Sequence, residues 1–192
     1  MDWKHHLLGH QEGGRVLSFR LIQKGVTLIE LMIAIVIMAI LLAIALPSFQ
    51  TWMLNAQIRT ATESIQNGLQ LARAEAVRRN ERVKFVMGTA SSWTVSTDAG
   101  AAIQSRTSSE GSSSVTITVT PGTATTATFN ALGRIVANAD ATAALTQIDL
   151  DVPTTILPAN LSQNLSIMIT SGGQVRSCDP RFNATSDPRA CS

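Results

Sequence analysis

The stretch KGVTLIELMIAIVIMAILLAIALPSFQ, residues 24–50, constrains this 192-residue chain more than any other part of it. Lys24 and Gly25 lead straight into an apolar run that carries one acid, Glu30, and closes at Pro47. Between Leu31 and Leu46 no side chain is charged or strongly polar. The 21 residues from 26 to 46 suffice for a helix across a bilayer core, for which about 20 are needed. A carboxylate near the start of such a segment costs about 2.5–3.5 kcal/mol even on the most lenient insertion scale, and groups so placed usually mark function.

Two simpler readings compete. One is an ordinary secretory signal, since Ala43-Ile44-Ala45 has the form of an A-x-A cleavage site. The apolar region of such a signal is about 7–15 residues and does not open on an acid. The other is a plain single-span anchor with Glu30 snorkelling to the interface. It accounts for the length but not for the spacing of Gly25 and Glu30.

Charge orients the segment. Lys4, Arg15, Arg20 and Lys24 precede it against Asp2 and Glu12, and no further basic residue appears until Arg59. The excess of Lys and Arg places the first residues in the cytoplasm and the C-terminal part across the membrane. Taking those four from 15 Lys and Arg, and those two acids from 13 Asp and Glu, leaves eleven of each sign after Gly25. A globally basic nucleic-acid binder is excluded, so any such role requires a local patch.

Residue inventory also narrows the chemistry. His5, His6 and His10 all precede Gly25, and the chain has no Tyr. Beyond Gly25 there is no imidazole for a Ser-His or Cys-His pair. Two Cys without His do not make a four-ligand zinc site. No catalytic residue, metal or cofactor is assigned. Cys178 and Cys191 form an even, closely spaced pair, which in an exported domain reads as a disulfide; free thiols are the alternative. Closing a loop of about 14 residues stabilises by roughly 3 kcal/mol in the chain-entropy model.

After Pro47 the pattern stays helical. Ile58, Ala61, Ile65, Leu69, Ala72 and Ala76 recur at steps of three and four, the mark of one buried stripe. Gly68 interrupts it at a cost near 1 kcal/mol that a close neighbour would justify. With Asn80 as the stop, one helix is expected from about 26 to 79, roughly 80 Å long. From Arg82 the period becomes two. Val83/Phe85, Trp93/Val95, Val115/Ile117/Val119, Ile148/Leu150/Val152 and Leu165/Ile167/Ile169 alternate as half-buried strands do, and Gly172-Gly173 marks a turn before Val175. The Ser/Thr-rich stretches 105–114 and 120–128 are expected as exposed loops between strands. A helix followed by consecutive strands means an α+β fold in a single domain.

Lys24-Gly25-Val26-Thr27-Leu28-Ile29-Glu30-Leu31 resembles the leader junction of type IV pilins and of the pseudopilins of type II secretion. The resemblance implies that a prepilin peptidase cuts after Gly25, that Val26 becomes the N-methylated terminus, and that Glu30 neutralises a neighbouring subunit's terminal amine during assembly. The family's usual Phe or Met at the new terminus is Val26 here. The implied organisation is a leader at 1–25, a transmembrane and filament-core helix at 26–52, and a periplasmic pilin domain at 53–192, amphipathic helix to about 80 and β-rich beyond.

Further segments narrow the likeness. Leu71-Ala-Arg-Ala-Glu-Ala-Val-Arg-Arg-Asn80 followed by Val83 is similar to the helix end of the GspH/FimT family of minor pilins and pseudopilins. Phe129-Asn130-x-x-Gly133-Arg134 resembles its central hairpin turn. Gly173-x-Val175-Arg176-x-Cys178-Asp179-Pro180 with Asp187-Pro188-Arg189-x-Cys191 is similar to the tails of its type IV members. The implied protein is a minor pilin of a type IV pilus that primes or caps assembly, held in the bacterial inner membrane with its domain in the periplasm. The alternatives are a type II secretion pseudopilin and a tip-located DNA receptor for natural transformation. Its implied partners are other minor and major pilins or pseudopilins, prepilin peptidase, the inner membrane and, in the receptor reading, DNA.

Two basic clusters bear on that last reading. Arg73, Arg78, Arg79, Arg82 and Lys84 stand against Glu75 and Glu81, which suits a helix C-terminus as well as a ligand. In the tail, Arg176, Arg181 and Arg189 are the DNA-contact candidates. The Gly-Arg-x-Arg motif of DNA-binding relatives reads Gly173-Gln174-Val175-Arg176 here, and Asp179 and Asp187 offset the tail's charge.

Overall fold

The computed structural model describes residues 25–182 and 187–191. The expected leader up to Lys24 therefore lies outside the described residues, as do 183–186 and 192. The chain divides into two compact units, 1–42 and 43–192.

One helix, α1 (Leu28–Arg79), begins two residues later than expected and ends where expected. Its start is capped by Thr27, whose Oγ1 accepts a hydrogen bond of 3.3 Å from the Glu30 backbone N–H. Thr27-x-x-Glu30 thus has the order of a capping box, with the acid also in the first turn, where a helix favours negative charge. Its end is a Schellman motif. Asn80 takes φ of 55°, its N–H bonds Val77 O at 3.3 Å, and Glu81 N–H reaches Ala76 O at 3.3 Å. Asn tolerates this left-handed conformation better than most residues, which is why the helix stops there.

In the first unit, all described residues of α1 are exposed along their apolar length. An 18-residue window of the helix is long and apolar enough to cross a membrane, and none of that window is buried.

In the second unit the stripe Ile58, Ala61, Ile65, Leu69, Ala72 and Ala76 is fully buried. Among the described residues nine strands follow: β1 (Val83–Met87), β2 (Trp93–Thr97), β3 (Ala102–Arg106), β4 (Thr116–Thr120), β5 (Thr126–Phe129), β6 (Ile135–Val136), β7 (Gln147–Asp151), β8 (Leu165–Ile169) and β9 (Val175–Cys178). They form a five-stranded sheet, β3-β2-β1-β5-β6, and a four-stranded sheet, β4-β7-β8-β9, with antiparallel pairing throughout. Phe85 and Phe129 from the first sheet join Ile148, Leu150 and Ile167 from the second and the helical stripe in one core. Each fully buried large apolar side chain contributes about 1.5–3 kcal/mol.

Gly68 has its reason here. A Cβ on it would stand 2.8 Å from Phe85 Cε2 and 3.0 Å from Trp93 Cδ2, so the bare backbone lets β1 and β2 close on the helix. The Trp93 indole N–H is satisfied by Ser64 Oγ at 2.9 Å.

The Ser/Thr-rich stretches are mostly exposed loops between strands at 107–114 and 121–125, as expected, and depart from that expectation at their ends. β3 takes in 105–106, and β5 occupies 126–129 as an inner strand pairing with β1 and β6. Ala127 and Phe129 of β5 are fully buried, so a small residue among threonines carries an inward-facing strand position that hydropathy understates. The expected turn at 130–133 is present: Asn130 N–H bonds Arg134 O at 3.0 Å, and Phe129 pairs with Ile135.

Candidate assembly site and C-terminal clasp

At the N-terminal end, Gly25 and Val26 lie just ahead of α1 in exposed, irregular backbone, and Glu30 projects from its first turn, also exposed. Among the described residues of α1 the next charge is Arg59, so for 28 residues after Glu30 nothing on the helix can pair with the carboxylate from its own surface. The cap uses the backbone N–H of residue 30, which leaves the carboxylate available to another chain.

At the C-terminal end the two cysteines are joined: Cys178 and Cys191 form a disulfide with S–S of 2.07 Å and Cα–Cα of 5.0 Å. Asp179 N–H bonds Arg189 O at 2.8 Å, and Asp179 and Ala190 form a parallel bridge. Arg181 and Arg189 are engaged with acids beside them. Arg181 Nη2 contacts Asp179 Oδ2 at 2.5 Å and its Nε donates to Oδ1 at 2.9 Å. Arg189 grips Asp187 in the same forked manner, at 2.8 and 3.0 Å. Its guanidinium also lies 4.0 Å from the centre of the Phe182 ring, a cation–π contact.

These pairs set the charge state of the tail. The Arg181 guanidinium hydrogen bond holds the Asp179 carboxyl below the usual carboxylate range. Arg189 does the same for Asp187, whose pKa falls from 3.8 to about 2. A carboxylate depressed on folding stabilises fully above its unfolded pKa and loses that contribution as the pH falls through about 2. The clasp is therefore ionised at any ordinary pH.

Arg176 sits on β9 opposite Met168, and with Arg181 and Arg189 it lines an open hollow of about 720 Å³. Arg59 of α1 borders the same hollow, with Phe182 on another wall. The three arginines marked in the sequence are brought together, and Arg59 and Phe182 join them. Neither addition was legible: Arg59 reads as one polar residue on a helix face, and its approach to the tail depends on Gln163, which accepts from Arg59 Nη2 at 2.8 Å.

The other basic cluster is local to the helix end. Glu75 is forked between Arg78 Nη2 at 2.6 Å and Arg79 Nε at 2.7 Å, and these two hydrogen bonds lower its pKa from 4.5 to about 2. Arg79 also approaches Glu81 at 3.9 Å. Here the cations serve the helix terminus and its own acids.

The family described as "Type II transport protein GspH" has a model that matches residues 61–173, from the buried stripe of α1 to the β8–β9 turn. The chain belongs to the GspH family. The model of the prokaryotic N-terminal methylation motif matches residues 20–46 of this GspH-family chain, spanning the Gly25 junction and the apolar run. Two crystal structures of the type IV minor pilin FimU of Pseudomonas aeruginosa (strain PAO1), in different space groups, are similar to it. They show 15% and 16% identity and TM-scores of 0.46 and 0.47, and the matches cover 70% and 71% of this chain and 99% and 96% of those. The fold of this family member is one long N-terminal helix followed by antiparallel sheets.

The disulfide closes 13 residues of sequence separation at the very end of the chain. Cys191→Ser is expected to lower the stability of the globular part by about 3 kcal/mol, read as a shift in the urea midpoint at unchanged slope. A midpoint within error of the parent would show that the Asp179–Arg189 clasp holds the tail unaided.

Proposed function

We propose that this GspH-family chain is a minor subunit of a type IV pilus, stored in the inner membrane with residues 26–52 as its anchor and residues 53–192 in the periplasm. It enters the filament after cleavage behind Gly25 and methylation of Val26. The observation that carries this reading is the wholly exposed apolar length of α1 with Glu30 as its lone acid before Glu63. Such a surface needs either lipid or similar helices around it. In the low dielectric between packed helices, an unpaired carboxylate is strongly disfavoured, so pairing Glu30 with a neighbour's terminal ammonium fixes register as well as adding energy. The test is intact-mass and N-terminal analysis of the membrane-extracted protein. A chain starting at methylated Val26 supports the reading; one starting near Leu46 would return the segment to an ordinary secretory signal.

A second reading, a type II secretion pseudopilin, is favoured by the description of the matched family. The disulfide-closed tail, similar to those of type IV members, inclines the assignment to the pilus. As for a DNA receptor, the acid pairing of Arg181 and Arg189 works against it, because each phosphate contact would compete with an intramolecular carboxylate.

A further inference from the structure

We infer that the membrane-proximal hollow of the globular unit, bounded by Trp52, Asn55, Arg59 and Gln163, is a seat for phospholipid headgroups, on which the domain rests while the subunit is stored in the bilayer. The inference rests on the membrane-anchor reading above and adds to it a lipid contact made by the globular unit itself.

Helix arithmetic sets the depth. Twenty residues counted from Leu31, the first past the Glu30 charge, reach Gln50 and span about 30 Å of hydrocarbon. Trp52 then stands about 3 Å and Asn55 about 7.5 Å beyond the hydrocarbon edge, inside a headgroup layer roughly 5–8 Å thick. Arg59 starts about 13.5 Å out, but helical side chains lean toward the N-terminus and a long cationic one snorkels, which brings its guanidinium back to phosphate level.

Composition matches that depth. Phe49 and Trp52 are 52% and 66% exposed, with ring centroids 5.9 Å apart, and Met53 follows at 45%. Amphipathic aromatic rings collect at membrane–water interfaces. The globular unit contributes the other wall. Asn55 holds residues 161–163 against α1, its Nδ2 donating to Leu161 O at 3.0 Å and its Oδ1 accepting from Gln163 N–H at 2.8 Å. Leu161, whose carbonyl is held by Asn55, is left 46% exposed. The hollow between these walls measures about 370 Å³. One Arg59 donor goes to Gln163, and a guanidinium has five, so donors remain for a phosphate. The charges around it are one-sided. Asp151 bonds Ser162 from the protein side and Asp179 is held by Arg181, while Glu63 lies a further turn from the bilayer.

The test is depth-resolved spin labelling of the full chain in vesicles of phosphatidylcholine and phosphatidylglycerol, with the native disulfide kept oxidised. Leu161→Cys reports the seat, Ile40→Cys the span, and Leu132→Cys the far end, where Leu132 precedes a glycine packed on Arg73 and Val77. Expected is loss of relaxation by a water-soluble nickel reagent at position 161 but not at 132, restored by Arg59→Gln. A label at 161 as accessible as that at 132, with 40 embedded, would overturn the seat and leave the anchor standing. An accessible label at 40 would overturn the anchor and the seat with it. Protection at 161 that persists in phospholipid-free detergent, that survives Arg59→Gln, or that tracks protein-to-lipid ratio would assign the face to the protein itself or to a second copy and end the lipid proposal.

Discussion

Glu30→Ala is expected to leave the protein synthesised, inserted and cleaved, but to reduce its incorporation into sheared filaments by roughly a hundredfold. The magnitude follows from the cost of the partner it abandons: an uncompensated ion in an apolar surround is disfavoured by about 2.5–3.5 kcal/mol, and each 1.4 kcal/mol is tenfold. A structural effect on the helix does not account for such a loss. Thr27 caps α1 through the backbone N–H of residue 30, which alanine retains, and alanine is the best helix former. Glu30→Gln separates shape from charge and should fail nearly as badly, whereas Glu30→Asp keeps the charge on a shorter stem and should recover part of the incorporation. Quantifying the subunit in purified filaments against its membrane pool decides the matter. Parent-level incorporation of the alanine variant would remove Glu30 from assembly altogether.

How far the sequence revealed the molecule differs between its parts, for physical reasons. The α1 stripe was legible because six buried positions repeat at helical spacing over 19 residues, and each is fully buried. Its terminus was legible because Asn80 is one of the few residues that accepts φ of 55°. The strands with large alternating side chains, β1, β2, β7 and β8, were legible too. β5 was not, since Thr126-Ala-Thr-Phe129 gains its inner place from two neighbouring strands rather than from hydropathy. The edge strand β3 was hidden for a similar reason: its outer residues are mostly exposed, and its register shifts at Val95/Ser96. At the tail, residue types announced arginines and acids, but not which acid each guanidinium would hold. Partner choice there depends on backbone geometry that the disulfide and the Asp179–Ala190 bridge impose.

Gly173→Ala is expected to destabilise the globular part by about 2–4 kcal/mol, a fall in Tm on the order of 10 °C. Two costs combine. Gly173 has φ of +78°, a left-handed conformation that L side chains rarely adopt. A Cβ placed there would also overlap the Gly133 carbonyl oxygen, stand 3.0 Å from the Gly133 carbonyl carbon and 3.3 Å from Arg134 Cα. These are backbone atoms of the turn joining β5 to β6, while Gly173 lies in the turn joining β8 to β9, so the clash falls where one sheet meets the other. Ile135 N–H bonds Ser171 O at 3.2 Å across the same junction, and it would have to lengthen for the methyl to fit. Gly100→Ala separates the two costs. Its φ is +92° with nothing within 4 Å of the added methyl, so it should show the conformational strain alone, about 1 kcal/mol. Thermal unfolding of both variants beside the parent measures the difference. If Gly173→Ala melts no lower than Gly100→Ala, the two sheets do not depend on close approach at these turns, and the resemblance of both glycine-bearing segments to the family would need a cause other than packing.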